Sequence, residues 1–146
     1  MVIAVIAGRT FPVERALDWL SSEGKRLIGK KNIWRVGATP GAEFEFMYQL
    51  LTKGERVEVH LPATVDLYYP AENRELLKLM KRKGQVEEYR LKDFPYGSSW
   101  QKRNSGMLRD ASMLVVFPDK KDREVIKRTA NEAQRKKKKL IVIQSQ

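Results

Sequence analysis

Apolar residues along the chain alternate between short unbroken runs and the three- to four-residue spacing of an amphipathic helix. Unbroken runs are typical of strands that are buried on both faces of a parallel sheet, and one segment shows the in–out alternation of a half-buried strand. Together they predict strands at Val2–Ala7, Ile33–Val36, Arg56–Leu61, Ala111–Phe117 and Leu140–Ile143, with a shorter extended piece at Val86–Leu91.

Helical spacing fills the segments between these strands. It predicts helices that begin at Pro12 and Ala42 and stop at Gly24 and Gly54, a helix from Ala71 to Lys83 that Gly84 closes, a helix from Arg103 or Asn104 to Asp110, and a helix after an N-cap at Asp122. Such alternation predicts an α/β fold, a Rossmann-like three-layer sandwich with a mainly parallel sheet and helices on both faces. At 146 residues, the chain is expected to form a single domain, residues 1–146.

The segment that joins the second strand to the second helix is the clearest candidate for chemistry. Gly37 and Gly41 bracket a loop that leads directly into the predicted helix. Unpaired backbone N–H groups and the positive end of the helix dipole meet at such a point and favour an anion, commonly a phosphate. An ordinary strand-to-helix turn that binds nothing is the alternative.

Two further loops are expected at the same edge of the sheet, because parallel strands end together. Gly8, Arg9 and Thr10 follow the first strand, and Pro118 and Asp119 follow the predicted strand Ala111–Phe117. Arg9 is a candidate anion ligand or an ordinary surface arginine.

Aromatic residues and the single histidine offer weaker signals. Tyr68 and Tyr69, in the segment after the third strand, could stack on a base or pack against the domain. We expect His60 to be a partly buried polar residue rather than a catalytic base.

Composition limits the chemistry further. The formal net charge is +11, which favours anionic partners, either nucleic acid or phosphorylated small molecules, although a lysine-rich surface also serves solubility. The basic run Arg135–Lys139 is interpreted either as a favourable charge at a helix C-terminus or as a polyanion patch. There is no cysteine and only one histidine, so we expect neither a disulfide, nor a metal site, nor a resident cofactor. Lacking a long apolar run or a basic leader, the chain is expected to be cytoplasmic and to have no membrane partner.

Three short motifs occur in an order that resembles a known group. They are Gly8-Arg9, the loop Gly37-Ala38-Thr39-Pro40-Gly41-Ala42-Glu43, and Arg103-Asn104-Ser105-Gly106-Met107. This order is similar to that of the SLOG superfamily of Rossmann-like nucleotide-binding proteins. The closest pattern is its small stand-alone subgroup, which is related to DNA-processing protein A and to the lonely-guy, lysine-decarboxylase-like proteins. The glycine turn that this superfamily usually has after the fourth strand is missing, because Pro118–Glu124 contains no glycine.

The resemblance implies that the protein binds a nucleotide or a nucleotide-derived phosphate ligand and acts as a sensor of it. The phosphate would bind the amides of Gly37 to Gly41, including those of Ala38 and Thr39, with Arg9 and Arg103 as charged donors. Glu43 would accept from a ribose hydroxyl, and Asn104 would orient the base or sugar.

Two alternatives remain open. A nucleotide N-glycosidase would use Glu43 as its catalytic carboxylate, although the phosphoribohydrolase turn Pro-Gly-Gly-x-Gly-Thr is absent. A single-stranded nucleic-acid binder would use Trp100 and the lysines of Lys136–Lys139. A homodimer is expected on analogy alone.

Overall fold

The computed structural model describes residues 1–68, 70–92, 94–95 and 97–145. Its centre is a six-stranded sheet in the order β4-β3-β2-β1-β5-β6, in which each neighbouring pair is parallel. The strands are β1 (Val2–Ala7), β2 (Ile33–Val36), β3 (Arg56–Leu61), β4 (Val86–Glu88), β5 (Met113–Phe117) and β6 (Lys139–Val142). Strands β2, β3 and β4 are added in turn on one side of β1. After β4 the chain crosses back, and β5 and β6 lie on the other side of β1. The carboxyl ends of β1 and β5 therefore lie side by side.

Among the described residues, five α-helices cover the sheet on both faces. They are α1 (Val13–Ser21), α2 (Ala42–Thr52), α3 (Arg74–Arg82), α4 (Gly97–Leu108) and α5 (Arg123–Arg135), with short 3₁₀ helices at Glu23–Leu27, Val65–Leu67 and Ala71–Asn73. Buried side chains of α1, α2 and α3 share one core with Ile3 and Val5, whereas those of α4 and α5 share a second core with Ala4 and Ile6. The chain is therefore a Rossmann-like α/β domain, and the predicted fold class is confirmed.

Aromatic residues fill the larger core and anchor the first loop. The Phe117 ring centroid lies 5.2 Å from that of Phe11, 5.5 Å from that of Phe46 and 5.9 Å from that of Trp19. Aromatic pairs at such distances contribute about 0.5–1.5 kcal/mol each beyond the area they bury. Phe11 follows the β1 loop directly, so this packing holds that loop against the end of β5.

Several predicted boundaries differ from the observed ones by a few residues, and two of the differences have identifiable physical reasons. Helix α4 begins at Gly97, not at Arg103, because Arg103, Asn104 and Met107 are buried at helical spacing, and this packing outweighs the loop-like composition of the preceding residues. Gly24 does not terminate α1, which ends at Ser21. A Cβ at Gly24 would lie 2.7 Å from the Trp19 ring, so this glycine permits close packing.

No described helix has the length and apolar character that crossing a bilayer requires.

Candidate functional site

Three loops meet at the carboxyl edge of the sheet, as the parallel arrangement requires. The Gly8 N–H donates to the Phe117 carbonyl over 2.9 Å, which joins the loop after β1 to the end of β5. The Asp119 carboxylate then accepts from the Thr10 N–H at 2.7 Å and from the Thr10 hydroxyl at 2.6 Å. We call this contact of Gly8, Thr10 and Asp119 the loop clasp. These residues contact each other and do not line the cavities at this edge.

A buried ion pair lies beside the clasp, at the ends of β1 and β2. Arg103 Nη1 lies 2.9 Å from Glu43 Oε1, and the two side chains are only 4% and 2% exposed. The Glu43 carboxylate also accepts from the Ala7 N–H at 3.0 Å and from the Thr39 N–H at 3.2 Å. The Glu43 carboxylate is therefore held from three sides by a guanidinium and two backbone amides.

The remaining donors of Arg103 are also used inside the protein. Arg103 Nε and Nη2 donate to Asn104 Oδ1 at 3.0 and 2.7 Å, and Asn104 Nδ2 donates to the Thr129 hydroxyl at 3.2 Å. The Arg103 guanidinium carbon lies 5.1 Å from the centre of the Trp100 ring, a cation–π distance. Arg103 and Asn104 thus tie α4 to α5 and to the β2 loop.

One amide of the predicted anion site in the β2 loop bonds the protein's own carboxylate. Thr39 contributes one of the amides expected to bind phosphate, and its N–H bonds Glu43 instead. A Cβ at Gly37 would overlap the Glu43 carboxylate and the Arg103 guanidinium. Gly41 has a φ of 109°, a conformation that favours glycine, and it precedes α2 as its N-cap. Gly37 does mark a close approach, and the approaching anion is Glu43, whereas a Cβ at Gly41 would lie 3.0 Å from the Arg9 carbonyl oxygen.

This placement changes the role of Glu43. We expected its carboxylate to contact a ribose hydroxyl or a reacting sugar. In the structure, both oxygens face backbone amides and Arg103, and the residue is 2% exposed. The carboxylate thus stabilises the β2 loop and has no surface from which to contact a ligand. The N-glycosidase hypothesis loses the carboxylate on which it rested.

Arg9 differs from Arg103 in being exposed. Its side chain is 52% exposed and pairs with Asp122, with Nη2 lying 2.9 Å from Oδ1. The Asp122 carboxylate also accepts from the Arg9 N–H at 2.7 Å. Asp122 precedes α5 as predicted, but its side chain bonds Arg9 instead of capping that helix. Arg9 therefore has a solvent-facing guanidinium whose partner is a partly buried carboxylate, 22% exposed.

Asp119, at the centre of the loop clasp, is held in its charged form. Partial burial alone would raise its pKa, but hydrogen bonds from the Thr10 hydroxyl and from the N–H groups of Asp122 and Thr10, with the Arg9 charge, lower the pKa below its usual value. The clasp is therefore an acid-sensitive contact.

An apolar cavity of about 230 Å³ opens beside these loops. Arg9, Thr39 and Arg103 line it together, so the structure brings three of the predicted ligand residues to one place. Its remaining walls are mostly apolar: Ala38, Pro40, Leu61, Pro62, Ala63, Thr64, Leu67, Tyr68, Phe94 and Trp100. The Tyr68 hydroxyl donates to the Ala38 carbonyl, and burial raises the pKa of this phenol, so it remains a neutral donor.

A wider, polar groove of about 490 Å³ adjoins the apolar cavity. Arg9 and Trp100 line both spaces, so these two side chains form the boundary between them. Lys120, Lys121 and Arg123 lie along the groove with Asp122 and Glu124. Asn104 lines a small cleft of about 40 Å³ that also includes Arg9 and Trp100. Pro118 begins the loop that leads to this groove.

The sequence did not identify most of the apolar wall. Pro62, Ala63 and Leu67 come from the connection after β3, where no motif marks a site, although Leu67 is a large apolar residue that is 63% exposed. The tyrosine prediction resolves in favour of packing for Tyr68, which is 9% exposed with its ring 6.4 Å from that of Phe44. Tyr69 lies outside the described residues.

His60 lies away from this site, in a polar cavity on the other face of the sheet. It is 6% exposed and its Nδ1 lies 2.8 Å from the Tyr89 hydroxyl. Burial and the Arg35 charge lower its pKa to about 4. His60 is thus a neutral, buried polar residue. Within the described ranges, no group of His, Asp and Glu side chains is arranged to hold a metal ion.

Trp100 and the basic run are at opposite edges of the sheet. Trp100 lines the spaces at the carboxyl edge, whereas the run Arg135–Lys139 leads into the start of β6. The two features that suggested a single-stranded nucleic-acid binder, Trp100 and the lysines of Lys136–Lys139, therefore lie on separate parts of the surface.

Comparison with known proteins identifies the fold. No protein-family model matches the chain, and no curated protein matches it in sequence. Among solved structures, the X-ray structure of DNA processing protein A (DprA) from Streptococcus pneumoniae matches with a TM-score of 0.70 and 15% sequence identity. The match covers 96% of this chain and 49% of the DprA chain, so the chain spans about half the length of that protein. The chain therefore has a DprA-like, Rossmann-type fold.

Proposed function

We propose that the domain binds a nucleotide at the carboxyl edge of its sheet. The base, or an equivalent flat group, enters the apolar cavity between Leu67 and Trp100, and the phosphate lies in the groove near Arg9, Lys120 and Lys121. The observation that carries this proposal is the shared boundary: Arg9 and Trp100 line both the apolar cavity and the basic groove. An apolar space joined to a cationic one suits a ligand with a flat base and a charged phosphate.

The dimensions favour a ligand that extends beyond the cavity. Sites for drug-sized molecules usually measure about 300–1,000 Å³, and the apolar cavity is smaller, about 230 Å³. It suits one ring system, with the rest of the ligand in the adjoining groove of about 490 Å³. Stacking on an aromatic side chain stabilises a base by about 1–3 kcal/mol, which Trp100 or Phe94 can supply.

The proposal divides the predicted residues into two groups. Arg9 binds the ligand directly, because its guanidinium is exposed and, among the residues that the structure describes, its ion-pair partner is the partly buried carboxylate of Asp122. Glu43, Arg103 and Asn104 act as positioning residues that fix the β2 loop and the orientation of α4. The fold is also compatible with a nucleotide-based ligand, since the protein it resembles is named for DNA processing.

A thermal-shift measurement on the whole chain tests this function. The probes are AMP, ADP-ribose and a cyclic nucleotide, with adenosine and ribose 5-phosphate as partial ligands. A ligand at about 100 times its Kd stabilises a protein by about 2.7 kcal/mol, which raises Tm by several degrees in a chain of this size. We expect a larger shift with AMP than with either partial ligand.

Leu67→Asp is the variant that tests the apolar cavity. It places a charge in the apolar wall and alters a side chain that is already exposed. The control is Leu79→Asp, since Leu79 is 42% exposed on α3 and does not line the cavity. The shift with AMP should disappear in the first variant and persist in the second. An equal response of both variants, or no shift with any probe, contradicts the proposal.

A further inference from the structure

The edge of the sheet opposite the proposed site carries a concentration of positive charge. All strands are parallel, so the segments that enter them lie along this amino edge. Exposed basic side chains occur there before or at the start of five of the six strands: Lys30, Lys31, Lys53, Arg56, Arg82, Lys83, Arg109, Arg135, Lys136, Lys137 and Lys139. We call this set the basic rim. It includes the run Arg135–Lys139 but extends across the whole sheet.

Acidic groups offset part of the rim, since Glu58, Glu87 and Asp110 line one cavity with Arg109. Glu55 is engaged internally, accepting from the Trp34 indole N–H at 3.0 Å, and Asp110 is an exposed acid in the segment before β5. Lys136 pairs with Glu132 at 3.0 Å. Among the described residues, no ion pair involves any other member of the rim. The carboxyl edge is different, because Asp119, Asp122 and Glu124 lie there among its basic residues.

Helix dipoles explain only part of this pattern. Basic residues are favoured in the last turn of a helix, which accounts for Arg82 and Arg135. The dipole effect falls off within one turn. It does not account for Lys31, which directly precedes the Asn32–Ile33 entry to β2, or for Arg56, which is the first residue of β3. Like charges along one edge repel each other, so an anionic partner would stabilise them together.

We infer that the basic rim binds the phosphate backbone of a nucleic acid without reading its sequence. Strands are about 4.8 Å apart, so six of them give a rim roughly 24 Å long. Duplex DNA carries one phosphate per about 1.7 Å of helix axis, a linear array that can meet a linear row of cations.

An anionic membrane is the less suitable partner for this edge. Peripheral binding to lipid normally combines basic side chains with apolar ones that enter the bilayer. Among the described residues, the exposed large apolar ones are Met1, Tyr48, Leu67, Leu79 and Val142. Of these, Met1 precedes β1 and Leu79 lies in the last turn of α3, close in sequence to Arg82 and Lys83. Two separate side chains bury too little area to anchor the rim.

Fluorescence anisotropy on the whole chain tests the inference. The probes are a labelled duplex of about 20 base pairs and an oligothymidylate of the same length. The rim variant carries four changes, Lys30→Gln, Lys53→Gln, Lys83→Gln and Lys139→Gln, all at exposed positions. The control carries Lys92→Gln, Lys102→Gln, Lys127→Gln and Arg128→Gln, which change the net charge equally at exposed positions outside the rim.

We expect the rim variant to bind the duplex more than about tenfold more weakly, while the control retains most of its affinity. The slope of log affinity against log salt should become shallower by about three to four units, since each lost phosphate contact accounts for about 0.9. The difference in affinity between the duplex and the oligothymidylate shows which form of nucleic acid the rim binds more tightly. Equal losses in both variants, no binding, or binding only to vesicles that contain phosphatidylserine would overturn the inference.

This inference is independent of the proposed nucleotide site. The rim variant should show the same thermal shift with AMP as the unmodified chain, because none of its four changes lines a cavity at the carboxyl edge. Loss of that shift would mean that the variant disturbs the fold, and the anisotropy would then be repeated with two changes, Lys53→Gln and Lys83→Gln. Unchanged affinity in that double variant would also contradict the inference.

Discussion

Two arginine–carboxylate pairs at the carboxyl edge have nearly the same geometry and opposite surroundings. Arg103 and Glu43 lie 2.9 Å apart with both side chains almost fully buried, and Arg9 and Asp122 lie 2.9 Å apart with the arginine 52% exposed. Removing one partner of a buried pair leaves an uncompensated charge, whereas an exposed pair contributes only about 0–1 kcal/mol. The buried pair therefore holds the site in shape, and the exposed pair can open to a ligand.

The largest effect is expected at the buried pair. Glu43→Gln leaves the Arg103 guanidinium buried without a counter-charge and weakens the contacts to the Ala7 and Thr39 amides. We expect the free energy of unfolding to fall by about 3–5 kcal/mol, measured by urea denaturation at neutral pH. Glu45→Gln is the control, because Glu45 is exposed on the same helix and should change stability by less than about 0.5 kcal/mol. A loss below about 1 kcal/mol in Glu43→Gln would contradict the structural role.

The loop clasp should show an intermediate effect that depends on pH. The pKa of Asp119 is lowered in the folded protein, so its contribution is present above the unfolded pKa, near 3.8, and is lost as pH falls through the lower, folded value. Hydrogen bonds to a charged group contribute about 1.5–3 kcal/mol, so Asp119→Asn should cost about that much at pH 6. The difference in unfolding free energy between the two proteins should shrink as pH decreases below about 4. A difference independent of pH between 6 and 3 would show that the charge of Asp119 does not contribute.

The smallest effect on stability is expected at the exposed pair. Asp122→Asn keeps the shape of the side chain and removes the charge that Arg9 contacts, so the free energy of unfolding should change by less than about 1 kcal/mol. Its effect on binding has the opposite sign, because the Asp122 carboxylate competes with a phosphate for Arg9. We expect tighter binding of AMP by calorimetric titration. Weaker binding of AMP would indicate that Asp122 itself contacts the ligand.

The sequence predicts the framework better than the site. Strand β1 and strand β3 have the predicted limits, because apolar runs and alternation report burial directly. Gly37 correctly signalled a close approach to the backbone, but nothing in a local pattern distinguishes a bound phosphate from the carboxylate of Glu43, six residues later. Arg103 joins Glu43 from a distant helix, and only the tertiary structure shows that they pair.

The apolar wall of the cavity also could not be predicted from local sequence patterns. Leu67 and Ala63 belong to a connection without a motif, and they become part of a site only because the fold places that connection beside Trp100. The basic rim was recognisable in part from Arg135–Lys139. Its extension to Lys31 and Arg56 depends on the parallel order of the strands, which brings separate segments to one edge.

The central claim is that Arg9, rather than Arg103, meets the charge of the ligand. Calorimetric titration of AMP and adenosine into the unmodified chain, Arg9→Gln and the surface control Lys127→Gln tests it most directly. A charge-assisted hydrogen bond contributes about 1.5–3 kcal/mol, so Arg9→Gln should bind AMP about 10- to 100-fold more weakly. Its affinity for adenosine should be unchanged, and the control should bind both as the unmodified chain does. Equal affinity of Arg9→Gln and the unmodified chain for AMP would contradict the claim.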